Sequence, residues 1–284
     1  MALRHNANHY TYALPETTAR HFRFSWTPEG TEPGSEDLDA AKWRANLKLK
    51  DVVLYSYPQV DGFEGKSGAV WRIQTAAPDF KDGYSIPLKE ILPLQLEGDS
   101  VQLAASGKPY HIYRIGHTTT GHTNATAGGA KGLECDKFSA GAVKKQVGGW
   151  FDLFLQRPHH EVVKYMHVDS WECGSQNWSP NFASEFQQRR GYDLMPYLAV
   201  YAGVPVENAE KVLYDIRLTI NDLVNDVFFR TLAGEARQRG LQLSSESVAP
   251  TMVSDGMEHY KLVDIPMGEY WLNSPTHDKP NDML

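Results

Sequence analysis

Cysteine is nearly absent from this chain: Cys135 and Cys173 are the only two in 284 residues. Two thiols make neither a disulfide scaffold nor a zinc cluster, and both are expected to be free. No apolar run approaches the roughly 20 residues of a membrane helix. The N-terminus, MALRHNANHYTY, lacks the apolar core of a signal peptide. Positive charge is also scarce, with 28 Lys and Arg against 35 Asp and Glu and a net charge of −7. That balance gives no basic surface for nucleic acid or anionic lipid, so neither nucleic acid nor a membrane is an expected partner. A neutral, hydrophilic ligand fits better. Phosphate-binding signatures are missing too: the glycine-rich loop GHTTTGHTNATAGGAKG (116–132) has neither GxGxxG spacing nor a Gly-Lys-Ser/Thr ending. Ser244, Ser245 and Ser247 have no G-x-S-x-G elbow around them. His159-His160-Glu161 lacks the second histidine four residues on that a zinc motif requires, and reads as surface at a strand start.

What remains is an ordinary globular composition, 41% hydrophobic and 22% charged. Its two parts differ. Residues 1–108 carry short alternating stretches, HFRFSW, WRANLKLKDVVLYSY and AVWRIQT, between loops rich in Pro, Gly and acidic residues. This predicts a β-sandwich-like region. Residues 109–284 alternate strands and helices. Strands are predicted at 110–115, 162–168, 241–246 and 261–266, and helices near 139–155, from 181 to 190, and from about 207 to 239. The long helix shows apolar residues at spacings of three and four, and Gly240 ends it. Strand-helix alternation with polar strand ends predicts α/β architecture, a partial (β/α) TIM-type barrel behind the sandwich.

The strand ends carry the candidates: His117 and His122, Glu134 and Asp136, Asp169 and Glu172, Glu246, and Glu269. The densest stretch is VDSWECGSQNW (168–178), which holds two carboxylates three apart, two indoles and an amide pair. Indoles stack on the apolar face of a pyranose, amides and Asp bind hydroxyls, and a glutamic acid can protonate a glycosidic oxygen. The plainer alternative is a capped turn with half-buried Trp residues. Asn124-Ala-Thr and Asn177-Trp-Ser match the glycosylation triplet, a pattern that also arises by chance.

The runs YHIYRIGHTTTGHTNATAGGAKGLECDKFS, VDSWECGSQNWSPNF with EFQQRRGYDLMPYL, SSESVAP, and MGEYWLNSPTHDKPNDML resemble the catalytic module of glycoside hydrolase family 106, the α-L-rhamnosidases. The resemblance spans residues 110–284 and, more loosely, the region before. It implies an inverting exo-hydrolase that releases terminal L-rhamnose from plant glycans or glycosides, on a barrel decorated with β-sandwich elements. It further implies a calcium ion, with Glu269 as one ligand, and the general acid at Glu172. Trp171, Trp178 and Trp271 are expected to stack on sugar, and Asp136, Lys137, Asp169, Gln176 and Asn177 to bind hydroxyls. Glu246 is either a substrate contact or a hydrogen-bonded strand end.

The family pattern sets the water-activating base beyond Leu284, so the chain is expected to be a fragment of a longer enzyme, itself secreted or periplasmic. Inversion needs an acid and a base about 6.5 to 9.5 Å apart. With only the acid present, the alternative is a catalytically incomplete carbohydrate-binding protein.

Overall fold

The computed structural model describes residues 11–25, 50–70, 84–94, 97–103, 107, 109–121, 123, 132–169, 171, 174–246 and 254–268. Its centre is a three-stranded parallel sheet, ordered β1 (Tyr165–Val168), β2 (Gln242–Glu246), β3 (Ile265–Met267). Parallel neighbours require a long crossover. Between β1 and β2 it consists of α4 (Phe182–Arg190), a 3₁₀ segment (Met195–Ala202), α5 (Ala209–Leu223), a π-helical turn (Val224–Phe229) and α6 (Arg230–Gln238). Before the sheet lie α1 (Phe63–Lys66), α2 (Ala140–Val147) and, after a π-helical turn through Gly148–Asp152, α3 (Leu153–Leu155). The connection from β2 to β3 holds α7 (Gly256–Tyr260).

Local chemistry sets these boundaries. The Ser139 hydroxyl accepts from the Ala142 amide and caps α2. Gly191 ends α4 and Gly203 ends the 3₁₀ segment, both in the left-handed region that glycine enters without penalty. On α5, Val212, Leu213, Ile216, Ile220 and Leu223 are essentially inaccessible to solvent. At about 1.5–3 kcal/mol per buried aliphatic side chain, this stripe contributes roughly 7–15 kcal/mol before entropy. The Arg189–Asp226 and Arg230–Asp226 ion pairs beside it are partly solvated, each contributing about 1 kcal/mol or less. Apolar burial therefore holds the crossover to the sheet, where Met166 and Leu243 meet the core. Arg239 anchors the end of α6 to Asp152, 2.8 Å away.

The long helix matches expectation, apart from the π-helical turn that the spacing does not reveal. Other elements differ. The described residues before 109 contain no strand, only α1, a 3₁₀ turn (Leu88–Glu90) and two isolated bridges, Ile86 with Val206 and Glu97 with Ser100. The alternating residues Val52, Val53, Leu54, Tyr55 and Tyr57 are exposed, and no sheet among the described residues covers them. Residues 110–115 likewise form no strand among the described residues, with Tyr110, Ile112, Tyr113 and Ile115 exposed. Alternation supplies a face for a strand but not the partner that makes one. The strand predicted at 162–168 begins as a 3₁₀ turn at His160–Val162, and its Tyr165 is half exposed, so β1 is covered on one face only. What the described residues form is a mixed α/β structure around a small parallel sheet; no closed barrel is seen among them. No described helix is long and apolar enough to cross a membrane.

Candidate functional site

Three strand ends converge on one side of the sheet. Tyr165 aligns with Gln242, His167 with Ser244 and Val168 with Ser245, while Glu246 aligns with Met267. Continuing this register by one residue sets Asp169, which is exposed, beside Glu246, which is half buried. Strands pair at about 4.8 Å, so this register brings the backbone of the two residues close together at the rim.

The segment after β1 is clamped from two directions. Gln176 donates from Nε2 to Asp136 Oδ1 at 2.6 Å and to the Trp178 carbonyl at 3.2 Å, while its Oε1 accepts from the Lys137 amide at 3.2 Å. Asp136 also accepts from the Ser179 hydroxyl at 2.8 Å and the Phe138 amide at 2.9 Å. The predicted ECDK and SQNW segments are thus joined, although Glu134 and Asp136 lie in irregular chain before α2 rather than on a described strand. From the other side, Asn177 donates to the Ser67 carbonyl at 3.1 Å and Ser175 to the Ala69 carbonyl at 2.6 Å. This stitches the turn after α1 onto the same segment. A glycan on Asn177 would have to displace that bond.

The indoles are held inside the structure. Trp171 is buried, donates from Nε1 to the Gly174 carbonyl at 2.7 Å, and packs edge-on against Phe228. The Lys137 ammonium lies 4.7 Å above its ring and pairs with Glu134 at 2.7 Å. Trp178 is half buried between Phe182 and Tyr201. Of the expected groups, then, Asp136, Lys137, Gln176 and Asn177 hold the segment in place, and Asp169 and Glu246 stand at the strand ends. Glu172, Glu269, Trp271, His122, Cys173 and Asn124 lie outside the described residues. His117 sits in an exposed segment with no assigned element. His159 and Glu161 are exposed, with a loose 3.6 Å contact.

Two features escape the sequence reading. A shallow cavity of about 330 Å³ opens beside Cys135 and Asp136, flanked by Lys145, Gln146 and the exposed Trp150. Burial there pushes the free Cys135 thiol above its usual range, with Lys137 opposing. His167, one rung below Asp169, bonds through Nδ1 to the Ser244 hydroxyl at 3.0 Å. The spacing Tyr165, His167, Asp169 is the signal that marks it, because alternate strand residues share a face.

For calcium, a cage of several hard oxygens is required. Among the described residues no three His, Cys, Asp or Glu side chains converge in a way that could hold a metal. The described residues therefore do not fit a complete calcium site.

The α-L-rhamnosidase family model of glycoside hydrolase family 106 matches residues 11–283. The chain belongs to that family. It is also similar to the solved structure of a rhamnosidase from Novosphingobium sp. PP1Y, with a TM-score of 0.58 and 25% identity, over 78% of this chain and 23% of that one. A Formosa agariphila protein provisionally named a β-glucuronidase is 36% identical over 177 residues, 60% of this chain. The chain spans 15% of the length of that relative.

Proposed function

We propose that this chain contributes the acid side of an inverting α-L-rhamnosidase site, with Glu172 as the general acid and terminal L-rhamnose as the sugar released. The observation that carries the reading is the clamp on the segment after β1. Asp136, Gln176, Ser179 and Asn177 spend their hydrogen bonds on fixing the chain that follows Glu172. A general acid needs such a support, because proton transfer requires hydrogen-bond reach to the leaving oxygen. Family membership supports the substrate class.

Asp169 and Glu246 take hydroxyl-binding roles at the rim, with Trp271 stacking on the ring and Glu269 contributing to calcium binding. Asp136, Lys137, Gln176 and Asn177 act by positioning, as Trp171 and Trp178 do by packing. A glucuronide would need a cation for its ring carboxylate, whereas the Lys137 ammonium is already paired with Glu134 and seated on Trp171. That favours the neutral sugar. The second reading, sugar binding without turnover, applies if no carboxylate within the chain activates water.

Aryl α-L-rhamnoside cleavage, with calcium and with or without azide, separates the readings. Cleavage without azide places a working base inside the chain. Cleavage only with azide, giving inverted glycosyl azide, means the base is elsewhere; binding without cleavage in either case favours the second reading. Glu172→Gln should slow poor leaving groups far more than activated aryl ones, and equal loss on both would sink the acid assignment.

A further inference from the structure

Among the described residues, β1 and β2 set one face against the core and leave the other more open, while β3 is exposed along its length. Met166 and Leu243 belong to the core, with Ser245 fully buried on the same side. The alternate residues form two successive rungs on the other face. His167, Ser244 and Ile265 make the lower rung and Glu246 and Met267 the upper, by the pairing of the three strands, with Asp169 joining the upper one where the β1 register is continued by one residue.

The lower rung is asymmetric. Ser244 is buried and holds His167 Nδ1 at 3.0 Å, which fixes the imidazole plane, while the residue is exposed and Nε2 has no hydrogen-bond partner among the described residues. Either tautomer serves a sugar hydroxyl, because a hydroxyl both donates and accepts. On β3 the exposed groups are hydrocarbon and thioether: Ile265 and Met267 are each 37% exposed. The end of β3 is pinned, since the Tyr260 hydroxyl donates to the Met267 carbonyl at 2.6 Å. A ligand lying across this face meets hydroxyl-reading groups from β1 and β2 and an apolar flank from β3.

We propose that this face is the specificity floor of the sugar site: His167 Nε2 bonds a ring hydroxyl, and Ile265 and Met267 receive the methyl group of a 6-deoxyhexose. The inference rests on the rhamnoside reading and adds the residues that distinguish the methyl from a hydroxymethyl group. L-Mannose has the same ring with a hydroxyl on that carbon, and so isolates the β3 contribution. An apolar pocket rejects an added hydroxyl only modestly, by up to about 100-fold.

The test titrates L-rhamnose and L-mannose into the 284-residue chain by calorimetry, with the His167 imidazole Cε1 proton followed by NMR. L-Rhamnose should shift that resonance and bind about 10-fold or more tightly than L-mannose. His167→Ala should weaken both sugars about 10-fold, the loss of one hydroxyl contact. Met267→Gln should erase the preference while retaining L-mannose binding. L-Rhamnose binding that leaves the His167 resonance still, with a preference unchanged in Met267→Gln, would overturn the floor and leave the rhamnoside reading standing. Absence of binding to either sugar, by a chain with an intact cooperative unfolding transition, would overturn both.

Discussion

Gln176 and Asp136 meet at 2.6 Å across a sequence separation of 40 residues. The carboxylate gathers three donors, from Gln176, Ser179 and the Phe138 amide, so it joins the chain entering α2 to the chain leaving β1. Such a group stabilises through the donors it satisfies. Asp136→Asn retains the volume but turns an amide donor toward at least one of them. We expect a loss of about 2 kcal/mol, the cost of one unsatisfied charge-assisted bond, read as a lower urea midpoint. An unchanged midpoint would show that the clamp does not bear on stability.

His259 yields a pH prediction. The imidazole is fully buried, stacked 4.1 Å from the Phe229 ring, and its Nε2 bonds the Ser254 hydroxyl at 2.9 Å. Burial depresses its pKa from 6.5 to about 4, with nearby Asp255 opposing. The unfolded chain therefore binds this proton more readily. Its contribution is fully present above about pH 6.5, declines as pH falls, and levels off below about 4, a total near 3 kcal/mol. Urea midpoints at pH 7.5 and 4.5 should differ by less in His259→Asn than in the parent chain. Equal differences would assign the pH dependence to other groups.

The parts legible in sequence are those set by local rules. The helix start near Ser139, Gly240 as a stop, and the α5–α6 apolar stripe follow from spacing and chain stereochemistry alone. Residues 110–115 have the alternation of a strand, yet sheet formation depends on a partner, which spacing cannot supply. The carbohydrate-like density of VDSWECGSQNW is similarly ambiguous. Trp171 offers an indole in sequence, but in the fold its N–H serves Gly174 and its ring meets Phe228 and Lys137. Asp136 and Gln176 were both legible as polar candidates; that they bind each other depends on a contact 40 residues long. His167 was missed because a histidine within an apolar run reads as filler until the register reveals its face.

Gly203 tests the packing of the N-terminal turn on the crossover. Its φ is +75°, and an added Cβ would stand 2.6 Å from the Phe63 ring. The same glycine accepts the Val60 amide at 2.8 Å, so the two segments cannot separate without losing that bond. Gly203→Ala combines left-handed strain with overpacking, and should cost about 2–4 kcal/mol. Adding Phe63→Ala should recover part of that cost, because the clash is removed while the backbone strain persists. A double-mutant cycle by urea denaturation measures the coupling; simple additivity would place the cost in the backbone alone.

Cys135 offers a chemical test of the cavity beside Asp136. Its thiol is raised above the usual value near 9, chiefly by burial; Lys137 pulls it down, and Glu134 and Asp136 push it up. At pH 7.5 the thiolate fraction should therefore fall below that of a free thiol, and the thiolate is the species that alkylates. In a Cys173→Ser background, iodoacetamide should react with Cys135 about 10-fold more slowly than with glutathione, with a pH-rate midpoint above 9. Lys137→Met removes the one opposing charge, so it should move the midpoint higher still. A midpoint at or below 8.5 would mean that the thiol is solvated and the wall beside Asp136 is open. A midpoint that falls in Lys137→Met would show instead that losing the ammonium loosens the Trp171 packing and lets water reach the thiol.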